Sequence, residues 1–585
     1  MRIKLVYVIL FVFLLAVSAS AQGAAKKADL DLQSMTALEL ALQMGNGINL
    51  GNTMEAYGRP YLGTKADVSE YETFWGQPVT TLEMILAMKE AGFDSLRIPV
   101  AWTNMMDYEK GDYTINPAYL ERVEEIVNYA LAADMFVIIN DHWDGGWWGM
   151  FGSANAQTRS DAMDLFVAMW TQIGTHFRDY PHLLIFEAAN EELGSRLNET
   201  SIAQDSGWLT DDETYQVMNE INQRFVDLIR GLGGKNGDRF LLIPGYNTDI
   251  ARTIDERFRM PSDSAQDKLL LSVHYYTPWS YCGTEGVNSW GTEREYQTQN
   301  ELLAQMTKFT EQGYGIVFGE YGVLPKSDGS LKNNTLDFLA NFHANMELYG
   351  YVPMLWDTSS FFIRRELKIV DEGLARFFRE RSLAARSAHT QGQIKGQAAA
   401  HLAMALELAR QRHLEAGPVL GAGGEAVAWI MFDSGDYQIT YSVGDIYTPT
   451  SKTEGVIATD VVIDGEGRHR VALDFRGTAQ GFANSITFAA VGIAQGELHF
   501  PGYIIDIKEV LINGERYQMR GRPYTTSDDG ICTRVNLYNE WVRVIPEGIR
   551  VINPNWRPFV TPTPLNKQNI GRIETIEVIF DFVAP

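Results

Sequence analysis

The chain has 585 residues, 45% of them hydrophobic, and a formal net charge of -25. That length exceeds one ordinary core, so two domains are expected. The acidic balance excludes nucleic acid and anionic membrane surfaces as partners, because phosphate binding needs clustered Lys and Arg.

The first element in chain order is "MRIKLVYVILFVFLLAVSASAQG", with Arg2 and Lys4, an apolar run through Val17, then Ala19-Ser20-Ala21. This order predicts a signal peptide over residues 1–21, cut before Gln22. An uncleaved anchor is the rival reading, but the run is short for a bilayer span of about 20 residues. The mature protein is expected outside the cell or in the periplasm, off the membrane and monomeric. Cys282 and Cys532 are the two cysteines, and they define no disulfide framework.

From residue 30 to about 380, apolar or β-branched runs alternate with amphipathic stretches. The runs are "INLGN" (48–52), "SLRIPV" (95–100), "MFVIIND" (135–141), "LLIFEAANE" (183–191), "FLLIPG" (240–245), "LLLSVHYY" (269–276), "GIVFGEYG" (315–322) and "VPMLWDT" (352–358). Between them lie helical patterns such as "PAYLERVEEIVNYALAA", with Leu120, Val123, Ile126, Val127 and Leu131 on one stripe. Strands with few internal polar residues, separated by helices, are parallel and covered on both faces. Eight such units close a (β/α)8 TIM barrel, the fold class expected here. An open doubly wound sheet is the alternative, but no glycine-rich phosphate loop follows the first run.

Active sites of such barrels form at the carboxyl ends of the strands. Those ends carry Asn52, Arg97, Asn140, His142, Asn190, Glu191, His274, Tyr276, Glu320 and Trp356. Any one of them alone is more simply structural; their coincidence at one rim points to a site. Glu187, inside the fourth run, reads as a structural acid paired with a basic neighbour, and Glu192, on the opposite face, as a surface residue or one that supports the site from behind. Glu191 and Glu320 leave the fourth and seventh strands, so they face each other across the mouth. Two opposed carboxyls suit glycosidic bond cleavage, one protonating the leaving oxygen and the other attacking or activating water. Neither a metal nor an organic cofactor is expected, since no His and acid spacing suggests a catalytic zinc.

The segments "GINLGNTME", "SLRIPVAW", "VIINDHWDGGWW", "FEAANEE", "SVHYYTP", "VFGEYG" and "MLWD" resemble, in order and approximate spacing, glycoside hydrolase family 5, most of all its endoglucanase subfamily 4, over roughly residues 35–375. The resemblance implies a retaining enzyme with Glu191 as acid/base and Glu320 as nucleophile. Asn190 would bond the sugar 2-hydroxyl, Arg97 would hold Glu320 ionised and Tyr276 would hydrogen-bond it. His142 and His274 would line the cleaved sugar's site, with Trp356 as its floor. A carboxyl beside Arg97 is expected to stay charged, and the other to keep its proton near neutral pH. Two departures stand out: Glu192 where the family often has proline, and Trp143 where the subfamily often has a second histidine.

Trp75, Trp102, Trp147, Trp148, Trp279 and Trp290 lie in loops or at strand ends. They are candidate platforms for pyranose rings, with Trp147 and Trp148 of "WDGGWWGMFG" placed in the substrate cleft. Residues 381–424 read as a linker, helical over "AAAHLAMALELARQRHLEA" and then glycine-rich. From 425 to 585, short strands and turns such as Asn513-Gly514 predict a β-sandwich accessory domain. Trp429, Tyr437, Tyr503 and Trp541 are its candidate carbohydrate contacts, and a purely structural role is the alternative. The expected function is an exported retaining endo-β-1,4-glucanase acting on cellulose-like or mixed-linkage β-glucan. The alternatives are the same chemistry on xyloglucan, mannan or xylan, and a non-catalytic carbohydrate-binding protein.

Overall fold

The computed structural model describes residues 30–585 except 200–204, 284–289, 327–328, 417–424, 436–438, 443–446, 448–452, 528–529, 543 and 547. The expected signal peptide therefore lies outside the described residues. The chain divides into two compact units, Met1–Glu407 and Leu408–Pro585.

In the first unit, eight parallel strands close a barrel: β1 Gly47–Asn49, β2 Ser95–Ile98, β3 Phe136–Ile139, β4 Leu184–Glu187, β5 Leu241–Pro244, β6 Leu269–Tyr275, β7 Gly315–Tyr321 and β8 Val352–Leu355. Seven of the eight runs anticipated from the sequence contain one strand each, and β1 begins one residue before the first run. Every strand is buried along its whole length, which is why each reads as a near-continuous apolar run. The amino-terminal end of the barrel is closed by the helix Ala37–Met44. A reciprocal Thr36/Glu39 capping box starts that helix, and its apolar side, Leu40, Ala41 and Met44, packs on Ile138, Ile185, Leu242, Leu270, Val317 and Met354. Each such fully buried large side chain contributes roughly 1.5–3 kcal/mol.

Above this apolar layer lies a polar one, supplied by even-numbered strands: Arg97 on β2, Glu187 on β4 and Ser272 on β6. Ser272 and Arg97 donate to the two carboxylate oxygens of Glu187, each at 2.7 Å. This is the basic neighbour expected for Glu187. β7 contains a bulge at Gly319, since Val273 pairs with Phe318 but His274 with Glu320. A Cβ on Gly319 would fall 2.9 Å from Ser272 Oγ and 3.1 Å from His274 Nε2, so glycine permits the bulge that re-aims Glu320 toward β6.

The helix Gln391–Ala416 covers the stretch expected to be helical. In the second unit, two antiparallel sheets share one apolar core. One is built around Ala426–Ser434, Phe488–Ala494 and Thr533–Asn539, the other around Gly467–Asp474, Ile504–Ile512 and Thr575–Val583. Along Thr575–Val583, Ile576, Val578, Phe580 and Phe582 point into the core and the residues between them do not, the two-residue period of a half-buried strand. Trp429 is fully buried, with its indole N–H donating to the Ser442 carbonyl at 3.1 Å, so it is no carbohydrate contact. Trp541 is 61% exposed, and Tyr437 lies outside the described residues.

Candidate active site

The guanidinium of Arg97 organises the carboxyl end of the barrel. It is completely buried and donates to Glu187 at 2.7 Å, Asn190 Oδ1 at 2.8 Å, Asn49 Oδ1 at 2.9 Å and Glu320 Oε1 at 3.1 Å. Burial opposes its charge, but Glu187 and Glu320 outweigh burial and hold Arg97 protonated. The other oxygen of Glu320 accepts from the Tyr276 hydroxyl at 3.0 Å, and burial keeps that phenol far from ionising. Glu320 is thus fixed at both oxygens.

β4 ends at Glu187, earlier than its apolar run suggested, and the following loop carries Asn190 and Glu191. His274 Nδ1 lies 2.9 Å from Glu191 Oε1 and 3.7 Å from Glu320 Oε2. One oxygen of Glu191, one of Glu320 and a ring nitrogen of His274 all lie within 4.8 Å of one another. Such a trio could face a cation, but both carboxylates already have guanidinium partners, Arg97 at 3.1 Å from Glu320 and Arg196 at 2.9 Å from Glu191. That charge disfavours a metal ion here.

His274 and Arg97 act on both acids of the pair. Burial pushes the Glu320 carboxyl up, against the pull of His274 and Arg97. Burial also acts to raise Glu191, but the hydrogen bond from His274 and the charges of His274, Arg196 and Arg97 outweigh it and hold Glu191 below the usual carboxylate range. Arg97 shares its charge with Glu187, its nearer partner, and Glu191, 26% exposed, also faces Arg196. Two carboxyls this close titrate as a pair.

His142 stacks on Trp356 with ring centroids 5.5 Å apart and planes 8° from parallel, forming a flat wall beside the acids. Burial and the neighbouring Arg97 keep His142 neutral. Trp143 packs edge-on against Tyr57 at 5.5 Å.

Two expectations are corrected. Trp147 and Trp148 are fully buried, stacked on each other at 4.4 Å, and offer no face to a ligand. The glycines of their loop, read as a sign of exposure, do the opposite. Gly149 and Gly152 lie so close to the carbonyls of Glu199 and Leu197 that a Cβ would approach to 2.0 and 2.4 Å, and this contact folds the tryptophans inward. Trp102 and Trp290 are buried too, whereas Trp75 and Trp279 are 40% and 60% exposed. Of the two readings of Glu192 the supporting one holds and the surface one does not: it is 1% exposed and accepts from the backbone N–H groups of Asn190 and Trp143, each at 2.7 Å. The two departures from the family pattern are therefore one hydrogen-bonded unit.

Residues the sequence reading passed over are Arg196, on the turn Ser195–Asn198, and Trp208, 69% exposed in the loop between β4 and its helix. The signal for Trp208 was a lone tryptophan among polar residues just before the Thr210/Glu213 capping box. Arg196 gave no signal beyond following Glu191 by five residues.

Burial pushes Glu55 and Glu192 each up to about 7. Such a carboxyl stabilises the fold fully below its unfolded value, about 4.3, and that contribution disappears as pH rises through the folded value. Below about pH 6.5 the buried, neutral His142 and His343 oppose the trend, because the unfolded chain protonates its histidines there. Thermal melts should therefore show Tm falling slightly, by about 1 °C, from about pH 6.5 to about pH 8.5, with a shallower fall in Glu192→Gln. A Tm that rises across this window contradicts the assignment.

The model of the cellulase family, glycosyl hydrolase family 5, matches residues 54–361, more than half of the chain. The chain belongs to glycosyl hydrolase family 5. Among family 5 relatives, endoglucanase A of Paenibacillus barcinonensis is 33% identical over 372 residues, covering 59% of this chain and 88% of that protein. A xyloglucan-specific endo-β-1,4-glucanase of Bacteroides ovatus is 32% identical over 346 residues, 56% of this chain and 66% of the relative. A solved GH5-4 broad-specificity endoglucanase from an uncultured bovine rumen ciliate superposes with a TM-score of 0.51 at 31% identity, covering 60% of this chain and 99% of its own. The Bacteroides ovatus GH5 xyloglucanase, solved with a XXXG heptasaccharide, gives 0.52 at 28% identity, over 60% of this chain and 78% of its own. Membership makes the chain a glycoside hydrolase of the cellulase class. No helix among the described residues is long and apolar enough to cross a membrane.

Proposed function

We propose that the chain is an exported endo-β-1,4-glucanase that cleaves cellulose-like or mixed-linkage β-glucan with retention of configuration. The observation that carries this reading is the proximity of Glu191 and Glu320, which bring one oxygen each within 4.8 Å. Retaining pairs stand about 5–5.5 Å apart, while an inverting pair needs roughly 6.5–9.5 Å to admit a water. Glu320, clamped by Arg97 and Tyr276, attacks the anomeric carbon as Glu191 gives its proton to the departing glycosidic oxygen. The resulting glycosyl ester is opened by water, whose proton returns to Glu191 as Glu320 leaves as carboxylate. Arg97 holds the Asn190 amide oxygen, so the Asn190 amide N–H group is the one left for a sugar 2-hydroxyl. His142 and Trp356 form the wall against the cleaved sugar. Trp75, Trp208 and Trp279, all on loops that follow strands, offer flat faces along the rim for further sugar units. The apolar leader at residues 1–21 supports export.

Reducing-end release and viscosity on a panel of barley β-glucan, carboxymethylcellulose, xyloglucan, mannan and xylan test the substrate class. The expected result is fastest release on the unbranched β-glucans, with viscosity falling before small sugars accumulate. Cleavage confined to mannan or xylan contradicts it. The Bacteroides relative makes xyloglucan the second reading, and a rate on xyloglucan above that on barley β-glucan would favour it.

A further inference from the structure

We propose that Arg196 is an exchangeable counter-ion of Glu191: it pairs with the acid in the empty cleft and is displaced toward Glu192 and Glu199 when a bound glucan arrives. The inference rests on Glu191 being the acid/base. Arg196 Nη2 lies 2.9 Å from Glu191 Oε2, Nη1 lies 3.9 Å from Glu192 Oε1 and Nε lies 3.7 Å from Glu199 Oε1. One guanidinium thus faces three carboxylates and bonds closely to only one, so a shift of about 1 Å exchanges its partner.

The surroundings say which contact of Glu191 yields. His274 holds the other oxygen of Glu191 at 2.9 Å, but its side chain is only 4% exposed and cannot retreat. Arg196 is 34% exposed and stands at the open side. Its backbone does not need to move: Asn247 accepts from both N–H and O–H of Ser195 at 2.9 Å and donates to the Glu191 carbonyl at 2.6 Å, tying the turn to the acid. Glu192 is a fixed acceptor, pinned by the Asn190 and Trp143 N–H groups, and a proline at its position would have offered none. The groups facing Glu191 are His274 and Tyr276 from β6 and its exit, Glu320 from β7, Arg97 from β2 beneath, and Glu192 and Arg196 from its own loop. Of these, only Arg196 is both cationic and exposed enough to leave. Its shift breaks the close charged hydrogen bond to Glu191 and weakens the local positive field as the leaving oxygen arrives, which favours the protonated acid when it is needed.

The test is the alkaline limb of the pH profiles for wild type, Arg196→Gln and Arg196→Lys, on cellotetraose and on 2,4-dinitrophenyl β-cellobioside, with circular dichroism as the check on folding. In the wild type, the alkaline limb of kcat on cellotetraose should lie above that of kcat/KM, because the former reports the occupied cleft and the latter the empty one. In Arg196→Gln the kcat/KM limb should move up to meet it. About one pH unit above the wild-type midpoint, this variant should keep roughly 3-fold or more the wild-type fraction of its own maximum. Arg196→Lys should restore most of the wild-type profile. Coincident kcat and kcat/KM limbs in the wild type, or an unmoved limb in Arg196→Gln, overturn the proposal. The dinitrophenyl leaving group needs no proton, so the limb should vanish on that substrate. A limb that persists there means the acid is not Glu191, and the acid/base reading falls with the inference.

Discussion

Glu320→Gln should lower kcat on polymeric β-glucan by at least about 10⁴-fold while leaving the melting temperature within a few degrees of the wild type. The amide keeps the side chain's volume and can still accept from Arg97 and Tyr276, the two partners that hold its oxygens at 3.1 and 3.0 Å. What it loses is the electron pair that forms the glycosyl ester, and no second carboxylate can substitute. Glu187 is fully buried and committed to Arg97 and Ser272, and Glu191 is the acid/base in the proposed reaction. Stability is spared because Arg97 keeps its nearer partner Glu187 at 2.7 Å, so no guanidinium is stranded. Glu191→Ala should behave differently: a similar collapse on polymer, but a first step largely preserved on dinitrophenyl cellobioside, whose leaving group departs unprotonated. If both variants kept full activity on polymer, the carboxyl pair would not be the catalytic one.

Arg97→Met should cost about 3–5 kcal/mol of stability and abolish activity. One guanidinium satisfies Glu187, Glu320, Asn49 and Asn190 within 3.1 Å, all of them buried. A methionine fills much of the volume but leaves two buried carboxylates with no cation between them, and the cost comes from those stranded charges rather than from lost packing. The sign with pH follows. In the variant both acids bind protons more tightly in the folded state than in the unfolded one, so their burden is relieved below the unfolded value and grows as pH rises. The difference in Tm between variant and wild type should therefore be at least ~5 °C at neutral pH and shrink toward pH 5. A difference that stays constant with pH would mean that packing, not charge, is what Arg97 contributes.

The barrel was legible in the sequence because its strands are covered on both faces, and such strands must be apolar throughout; eight of them between amphipathic helices leave few alternatives. The two acids were legible as a pair, since the exits of the fourth and seventh strands face each other across the mouth of such a ring. Glu187 illustrates the converse: within the run it needed a buried cation, and Arg97 is that cation. What escaped the sequence depends on backbone meeting backbone at long range. Trp147 and Trp148 look like exposed platforms until Gly149 and Gly152 are seen against the carbonyls of Glu199 and Leu197. Glu192 reads as a surface residue or a supporting one until the chain turns at Ala188 to Glu191 and its carboxylate reaches under Trp143. Arg196 also escaped, because spacing alone does not bring it to Glu191.

The central claim is that the Glu191 and Glu320 carboxyls are close enough for one of them to bond the anomeric carbon. Proton NMR of the first sugar released from cellotetraose, recorded before mutarotation, measures this most directly. The account predicts the β-anomer at the new reducing end, formed by two displacements. An α-anomer appearing first would mean a single displacement by water and would contradict it.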